Sequence, residues 1–95
     1  MKLVENPARV LIIRMGNVPI IDATGIRVLK EVNKDLVKIG SKLILSEISS
    51  DQVMSELKKA RLLFQIGKGN IKDTFELALK RANNILSQRP DVPDS

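Results

Sequence analysis

Asp22-Ala23-Thr24-Gly25 is the stretch of this chain whose residue types and order can do chemistry. It follows an apolar, β-branched stretch and precedes a segment of helical period, so it falls at a strand's carboxyl end and a helix's amino end. Backbone N–H groups converge at such a junction, the helix dipole is positive there, and glycine permits close approach of a bound group. An anion suits the place. A phosphate carried covalently on Thr24 would be stabilised by the same dipole, while Asp22 beside it would oppose or chelate it. A plainer reading of the same residues stands beside this one: Thr24 caps the helix, Asp22 accepts backbone N–H bonds and Gly25 eases packing. Gly67-Lys68-Gly69 resembles a fragment of a phosphate loop, but G-x-x-x-x-G-K-[ST] is not present and an ordinary glycine turn accounts for it. Gly67 and Gly69 are kept as second candidates for contact with an anion or nucleotide. Asp22, Glu47 and Asp51 would hold a hard cation only if the fold gathered them at one edge, and their spacing does not require that. No metal site and no cofactor are expected.

What the chain lacks narrows the chemistry further. Among its 95 residues there is no histidine and no cysteine. That excludes a thiol nucleophile, disulfides, Cys-based zinc or iron–sulfur sites, an imidazole base and His-ligated metals. No candidate base with an orienting partner is left, so no enzyme activity is expected. Aromatic residues are reduced to Phe64 and Phe75, so the core must be aliphatic and single-stranded bases find little to stack on. The net charge of +5 is spread along the chain; Lys58-Lys59-x-Arg61 and Lys80-Arg81 are its densest clusters, too short to mark a nucleic-acid tail. No stretch approaches the roughly 18–20 apolar residues of a membrane span, and the start is no signal peptide, so a soluble, intracellular chain is expected.

Elements that would position the candidate site follow from the hydrophobic period. Residues 1–8 read as a polar lead-in. Val10 to Met15 read as a strand buried on both faces, central in a parallel sheet. Ile26, Leu29, Val32, Leu36 and Ile39 recur at helical spacing, with Thr24 as N-cap and Gly40 as a left-handed stop. Lys42–Ser46 is a second strand. Ser49-Ser50-Asp51-Gln52 matches a capping box that opens a second helix. Leu62–Ile66 reads as a third strand, although periodicity alone does not separate so short an apolar run from a helix. The last helix opens at Asp73-x-x-Glu76, with Phe75, Ala78, Leu79, Ala82, Ile85 and Leu86 inward and a Glu76–Lys80 pair outward. Residues 88–95 carry two prolines and are expected to be disordered. The order βαβαβα predicts an α/β fold, a small and mainly parallel sheet with helices packed on it, whose loops at the strands' carboxyl ends would bind ligands.

At Val18-Pro19-Ile20-Ile21-Asp22-Ala23-Thr24-Gly25 the chain resembles the STAS domain, shared by bacterial anti-sigma factor antagonists and the cytoplasmic C-termini of sulfate permease (SulP) anion transporters. A buried strand, then VPxID-[AST]-[ST]-G, then a Leu-rich helix carry the resemblance, supported by residues 40–46, 62–67 and 73–79. The Val-Pro before Ile-Asp, and alanine at position 23, are more similar to the transporter branch. The likeness spans roughly residues 9–86, and a domain at 9–87 is expected.

The resemblance implies a non-catalytic regulatory and interaction module of a sulfate-permease-type transporter, on the cytoplasmic face of the membrane and not inserted in it. Its partner would be a protein: the transporter's membrane region or a kinase-like regulator. A stand-alone antagonist-like switch is the alternative; there the resemblance places the phosphorylated hydroxyl on Thr24, beside Asp22 and Gly25. Nucleotide or anion binding at Asp22–Gly25 with Gly67 and Gly69 is a third reading. Family domains carry further strands before the one at residues 10–15, so that strand is expected to present a bare edge and to favour a homodimer.

Overall fold

Sheet and helices alternate along the chain in the order the hydrophobic pattern predicts, with one helix added. The computed structural model describes residues 10–87; the lead-in expected at 1–8 and the tail expected at 88–95 lie outside the described residues. Strand β1 (Val10–Arg14) leads through a loop to helix α1 (Ala23–Lys38), then to strand β2 (Lys42–Ser46) and helix α2 (Asp51–Lys59). A short helix α3 (Leu62–Ile66) follows, then a 3₁₀ turn at Lys68–Asn70, a two-residue strand β3 (Ile71–Lys72) and helix α4 (Phe75–Ser87). The three strands form one parallel sheet in the order β1-β2-β3. Val10 stands opposite Lys42 and Arg14 opposite Ser46, and Leu45 stands opposite Ile71.

Strand β2 is the centre of the molecule because its sequence can be covered on both sides. Leu43, Ile44, Leu45 and Ser46 are all buried. Alternation sends Leu43 and Leu45 to one face, where they meet Leu29 of α1, Val53 and Leu57 of α2, and Leu62 and Ile66 of α3. It sends Ile44 to the other face, where Ala78 and Ala82 of α4 close on it with Val10, Ile12 and Ile85 around them. Small alanines let α4 approach the sheet closely. Fully burying each of these leucines or isoleucines contributes roughly 1.5–3 kcal/mol, and no aromatic ring belongs to either cluster.

Four expectations are corrected. Among the described residues strand β1 lies at the sheet's edge, not at its centre, and Leu11 on it is 41% exposed. Leu62–Ile66 is a helix: Leu62 and Ile66, four apart, are buried while Phe64 between them is 82% exposed, the reverse of what a strand would bury. Arg61, in the left-handed region at φ 63°, turns the chain out of α2 and into α3. The third strand therefore falls later, at Ile71–Lys72. Along α4, Leu79 and Leu86 are exposed rather than inward, because the helix presents only the narrow Ala78–Ala82–Ile85 stripe to the sheet. Finally, the ion pairs among the described residues are Arg14–Glu47 and Glu56–Lys59, and Glu76–Lys80 is not one of them.

Gly40 does stop α1 as expected. It takes φ 78°, a conformation that favours glycine, and the N–H groups of Gly40 and Ser41 return to the carbonyls of Val37 and Leu36 at 3.1 and 2.8 Å.

Candidate functional site

The loop from β1 to α1 is held by three sets of hydrogen bonds before it reaches the Asp22–Gly25 motif. Met15 donates to the Ser46 carbonyl at 2.8 Å, continuing the ladder one residue past β1, and Val18 then turns back to the Met15 carbonyl at 3.1 Å. Pro19 has no N–H, and its carbonyl accepts from the Ser50 hydroxyl at 2.7 Å. Ile21 is clamped from both sides by one carboxamide: its N–H donates to Gln52 Oε1 at 2.9 Å, and its carbonyl accepts from Gln52 Nε2 at 3.0 Å. Gln52 thus gives the loop what a neighbouring strand would give it. The box expected over residues 49–52 is not formed: the N-cap is Ser50 rather than Ser49, its Oγ accepting from Val53 N–H at 3.2 Å, and Gln52 is spent on Ile21.

Asp22, not Thr24, is the N-cap of α1. Its backbone is extended (φ −110°, ψ −175°), and its Oδ1 accepts from Gly25 N–H at 2.9 Å. Ala23 and Thr24 open the helix and are exposed. The Thr24 hydroxyl makes no hydrogen bond among the described residues, so the side chain that could accept a phosphate faces outward unengaged. Gly25 is needed for space rather than for its dihedral freedom: a Cβ there would lie 2.7 Å from Ile21 Cγ1 and 3.3 Å from its Cδ1. The motif is a tight corner in which Ile21 packs directly beneath the first turn of α1.

Beside that corner the surface is apolar. A groove of about 490 Å³ runs between the loop and the near flank of α1, lined by Met15, Val18, Ile20, Ile21, Gly25 and Val28 among others. Ile20, before the motif in sequence, is 70% exposed and Val28, after it, 54% exposed, and both line this groove. Two large aliphatic side chains in water beside a polar helix start make an exposed face of mixed character.

Gly67 and Gly69 are placed elsewhere. They form the turn that leads into β3, with Gly67 at φ 100°. Its neighbour Asn70 is buried, donating to the Ile66 carbonyl at 2.9 Å and accepting from Arg81 Nε at 2.8 Å. A Cβ at Gly69 would stand 3.7 Å from the Arg81 guanidinium, and neither glycine lines the groove at the motif. Among the candidate carboxylates, Glu47 belongs to a different group. Arg14 forks onto it with Nε–Oε1 at 2.8 Å and Nη2–Oε2 at 2.9 Å, and lies 4.2 Å over the Phe75 ring. The hydrogen bond from Arg14 holds the Glu47 carboxyl below its ordinary value, against a smaller opposing effect of burial. No group of three acidic side chains able to hold a metal ion exists among the described residues, and no described helix is long and apolar enough to cross a membrane.

A family model for the STAS domain matches residues 1–78, most of the chain. The chain belongs to the STAS domain family. This STAS domain is also similar to two solved structures. One is a sulfate transporter family protein from Wolinella succinogenes, with 31% identity and a TM-score of 0.81 over 90% of this chain and 70% of that one. The other is a SulP transporter STAS domain from Vibrio cholerae, with 32% identity and a TM-score of 0.76 over 85% of this chain and 62% of that one. The chain thus spans 70% and 62% of the lengths of these two neighbours. No protein with curated function matches it. The order of strands and helices, the parallel three-stranded sheet and the transporter-like motif at Val18–Gly25 all agree with this membership.

The two features of the site that the sequence reading missed are Gln52 and the exposed pair Ile20 and Val28. Gln52 carried a signal that pointed elsewhere, since a Gln near a Ser at a helix start reads as a local capping box. Val28 carried one: it falls outside the inward stripe of α1 while being β-branched and apolar.

Proposed function

We propose that this STAS domain is a non-catalytic regulatory and interaction module of a sulfate-permease-type anion transporter, acting on the cytoplasmic side and docking through the face around Asp22, Ala23, Thr24 and Gly25. The observation that carries this reading is the exposure of Ile20 and Val28 beside the motif. A strapped, rigid loop that holds two aliphatic side chains in water is suited to be covered by a protein partner, because burying them releases water at little ordering cost. The transporter context is supported by the two solved neighbours, both from the sulfate transporter family. The test is photo-crosslinking in cells from a reactive residue placed at position 20. An adduct with the membrane region of a multi-span anion transporter is expected. No adduct, or one unchanged by Val28→Asp, would reject the docking face.

A second reading rests on Thr24, whose exposed and unbonded hydroxyl is available to a kinase. Incubation with ATP and a kinase-type regulator should then label the chain, with Thr24→Ala unlabelled. The proposal extends to assembly: the outer edge of β1 carries no strand among the described residues, and a second copy of the chain is its proposed occupant.

A further inference from the structure

The flank of α1 turned away from the motif carries a different surface. Between α1 and α3 lies a shallow groove of about 560 Å³, bordered by Arg27, Lys30, Lys34 and Lys38 along α1 and by Gln65 on α3. These four cations fall on one side of the helix, and none is ion-paired among the described residues. Glu31 is the single carboxylate on the groove's margin, leaving four positive charges against one negative. At its floor is Asn33, only 9% exposed, whose carboxamide has no hydrogen-bond partner among the described residues. Buried amides are almost always hydrogen-bonded because leaving one without a partner is costly, so this one points to an occupant of the groove.

Three further features define that occupant. From Arg27 to Lys38 the cations span twelve residues of helix, roughly 16 Å, which is too long for one phosphate group and matches three turns of a facing helix. Val37, 63% exposed, lies within the groove, and Phe64, 82% exposed, follows it on α3 immediately before Gln65. Phe64 in turn shares a hollow of about 360 Å³ with Lys58 and Arg61, so cationic surface and apolar anchors continue across α3. A polynucleotide would match the charge, but a single exposed aromatic gives no succession of stacking surfaces, and Glu31 opposes a continuous phosphate backbone.

We propose that the α1–α3 groove docks an acidic, amphipathic helical segment of a partner protein, its carboxylates on Arg27, Lys30, Lys34 and Lys38 and its apolar residues on Val37 and Phe64. The site is separate from the Asp22–Gly25 face and stands whether or not that face docks a transporter. Helix-in-groove recognition of this kind reads anchors three and four residues apart, and charge complementarity sets its orientation and on-rate.

The full chain is titrated with a synthetic helical peptide of about five turns, bearing Glu every third and fourth residue and Leu on the adjoining stripe. Its Lys-for-Glu counterpart and a single-stranded oligonucleotide of equal charge serve as the other two probes. Amide NMR shifts are expected at Lys30, Asn33, Lys34, Val37 and Gln65 with the acidic peptide, and none at Thr24 or Gly25. Binding should weaken at least tenfold in Lys30→Glu/Lys34→Glu, two exposed positions whose reversal leaves the circular dichroism spectrum unchanged, and several-fold in Phe64→Ser. The inference is overturned by absence of binding up to about 1 mM peptide, the weak end of specific association. It is also overturned by equal binding of the basic peptide, by tighter binding of the oligonucleotide, or by shifts confined to another surface.

Discussion

Gly25 and Glu47 show how single residues set the geometry of the motif's end of the sheet. At Gly25 two effects of opposite sign compete. Alanine gains up to about 1 kcal/mol of helix propensity over glycine. Its Cβ, however, would stand 2.7 Å from Ile21 Cγ1, and Ile21 has nowhere to go, being 8% exposed with its backbone clamped by Gln52. Overpacking of this kind costs typically about 1–3 kcal/mol, so Gly25→Ala is expected to destabilise by about 1 kcal/mol or more. The urea midpoint measures this, and in an Ile21→Ala background the penalty should vanish, since the clashing atoms are gone. Thr24→Ala removes no bond and should change stability by less than about 0.5 kcal/mol. Glu47 gives a prediction in pH. Its carboxyl is held below the ordinary value by the Arg14 hydrogen bond, so its contribution is complete above the unfolded carboxylate range and is lost as pH falls through the folded value. The stability difference between the native chain and Glu47→Gln should be largest near neutral pH and close below about pH 4. A gap that widened in acid would contradict the assignment. The motif itself was legible in the sequence because its residues act on their own backbone neighbours. The Arg14–Glu47 pair was not, since its partners are thirty-three residues apart and meet only once β1 and β2 are paired.

Elements are positioned here by side chains that substitute for missing backbone partners. Gln52 on α2 supplies Ile21 with one donor and one acceptor, and Ser50 supplies Pro19 with a donor, so the β1–α1 loop is fastened to the start of α2 at three points. Gln52→Ala leaves both Ile21 groups to find water. It should cost about 1–2 kcal/mol and increase amide exchange at Ile21 more than at β2. Gln52→Glu keeps the acceptor and loses the donor, so an intermediate loss is expected. The helix at Leu62–Ile66 marks the limit of periodicity as a guide. Five residues, four of them apolar, satisfy a strand and a helix equally, and the choice was made by Arg61 adopting a left-handed turn and by the core having room at i and i+4. Leu62→Ala should therefore cost about 2–5 kcal/mol in thermal or urea unfolding, while Phe64→Ala should stay within about 0.5 kcal/mol. A strand would have made Phe64 as costly as Leu62. The longer elements were readable from sequence because many residues vote for each period: sixteen in α1, and a continuous apolar run in β2.

For the whole molecule the governing asymmetry is between the two neighbours of β2. On one side β3 contributes two residues and is followed at once by α4; on the other β1 contributes five and, among the described residues, has no strand beyond it. Apolarity alone made β1 look central, yet an apolar strand is central only if something pairs with each of its edges. A strand edge with no neighbour among the described residues, carrying a half-exposed Leu11, is a template for another chain. If a second copy covers it, two β1 edges meet across a two-fold axis. That makes the new pairing antiparallel and the contact self-complementary. Sedimentation velocity should show a concentration-dependent shift from monomer to dimer with no higher species, because among the described residues the other edge strand, β3, offers only two residues to pair. Ile12→Pro removes a ladder donor at the centre of β1. If that N–H points outward it should abolish the dimer while leaving the monomer folded; if it serves β2 the variant unfolds, and Leu11→Lys, which adds a charge at the edge without touching the β2 ladder, becomes the decisive variant. A sharp monomer boundary at the highest concentration reached, identical for the native chain and Leu11→Lys, would mean that a second copy does not cover the edge.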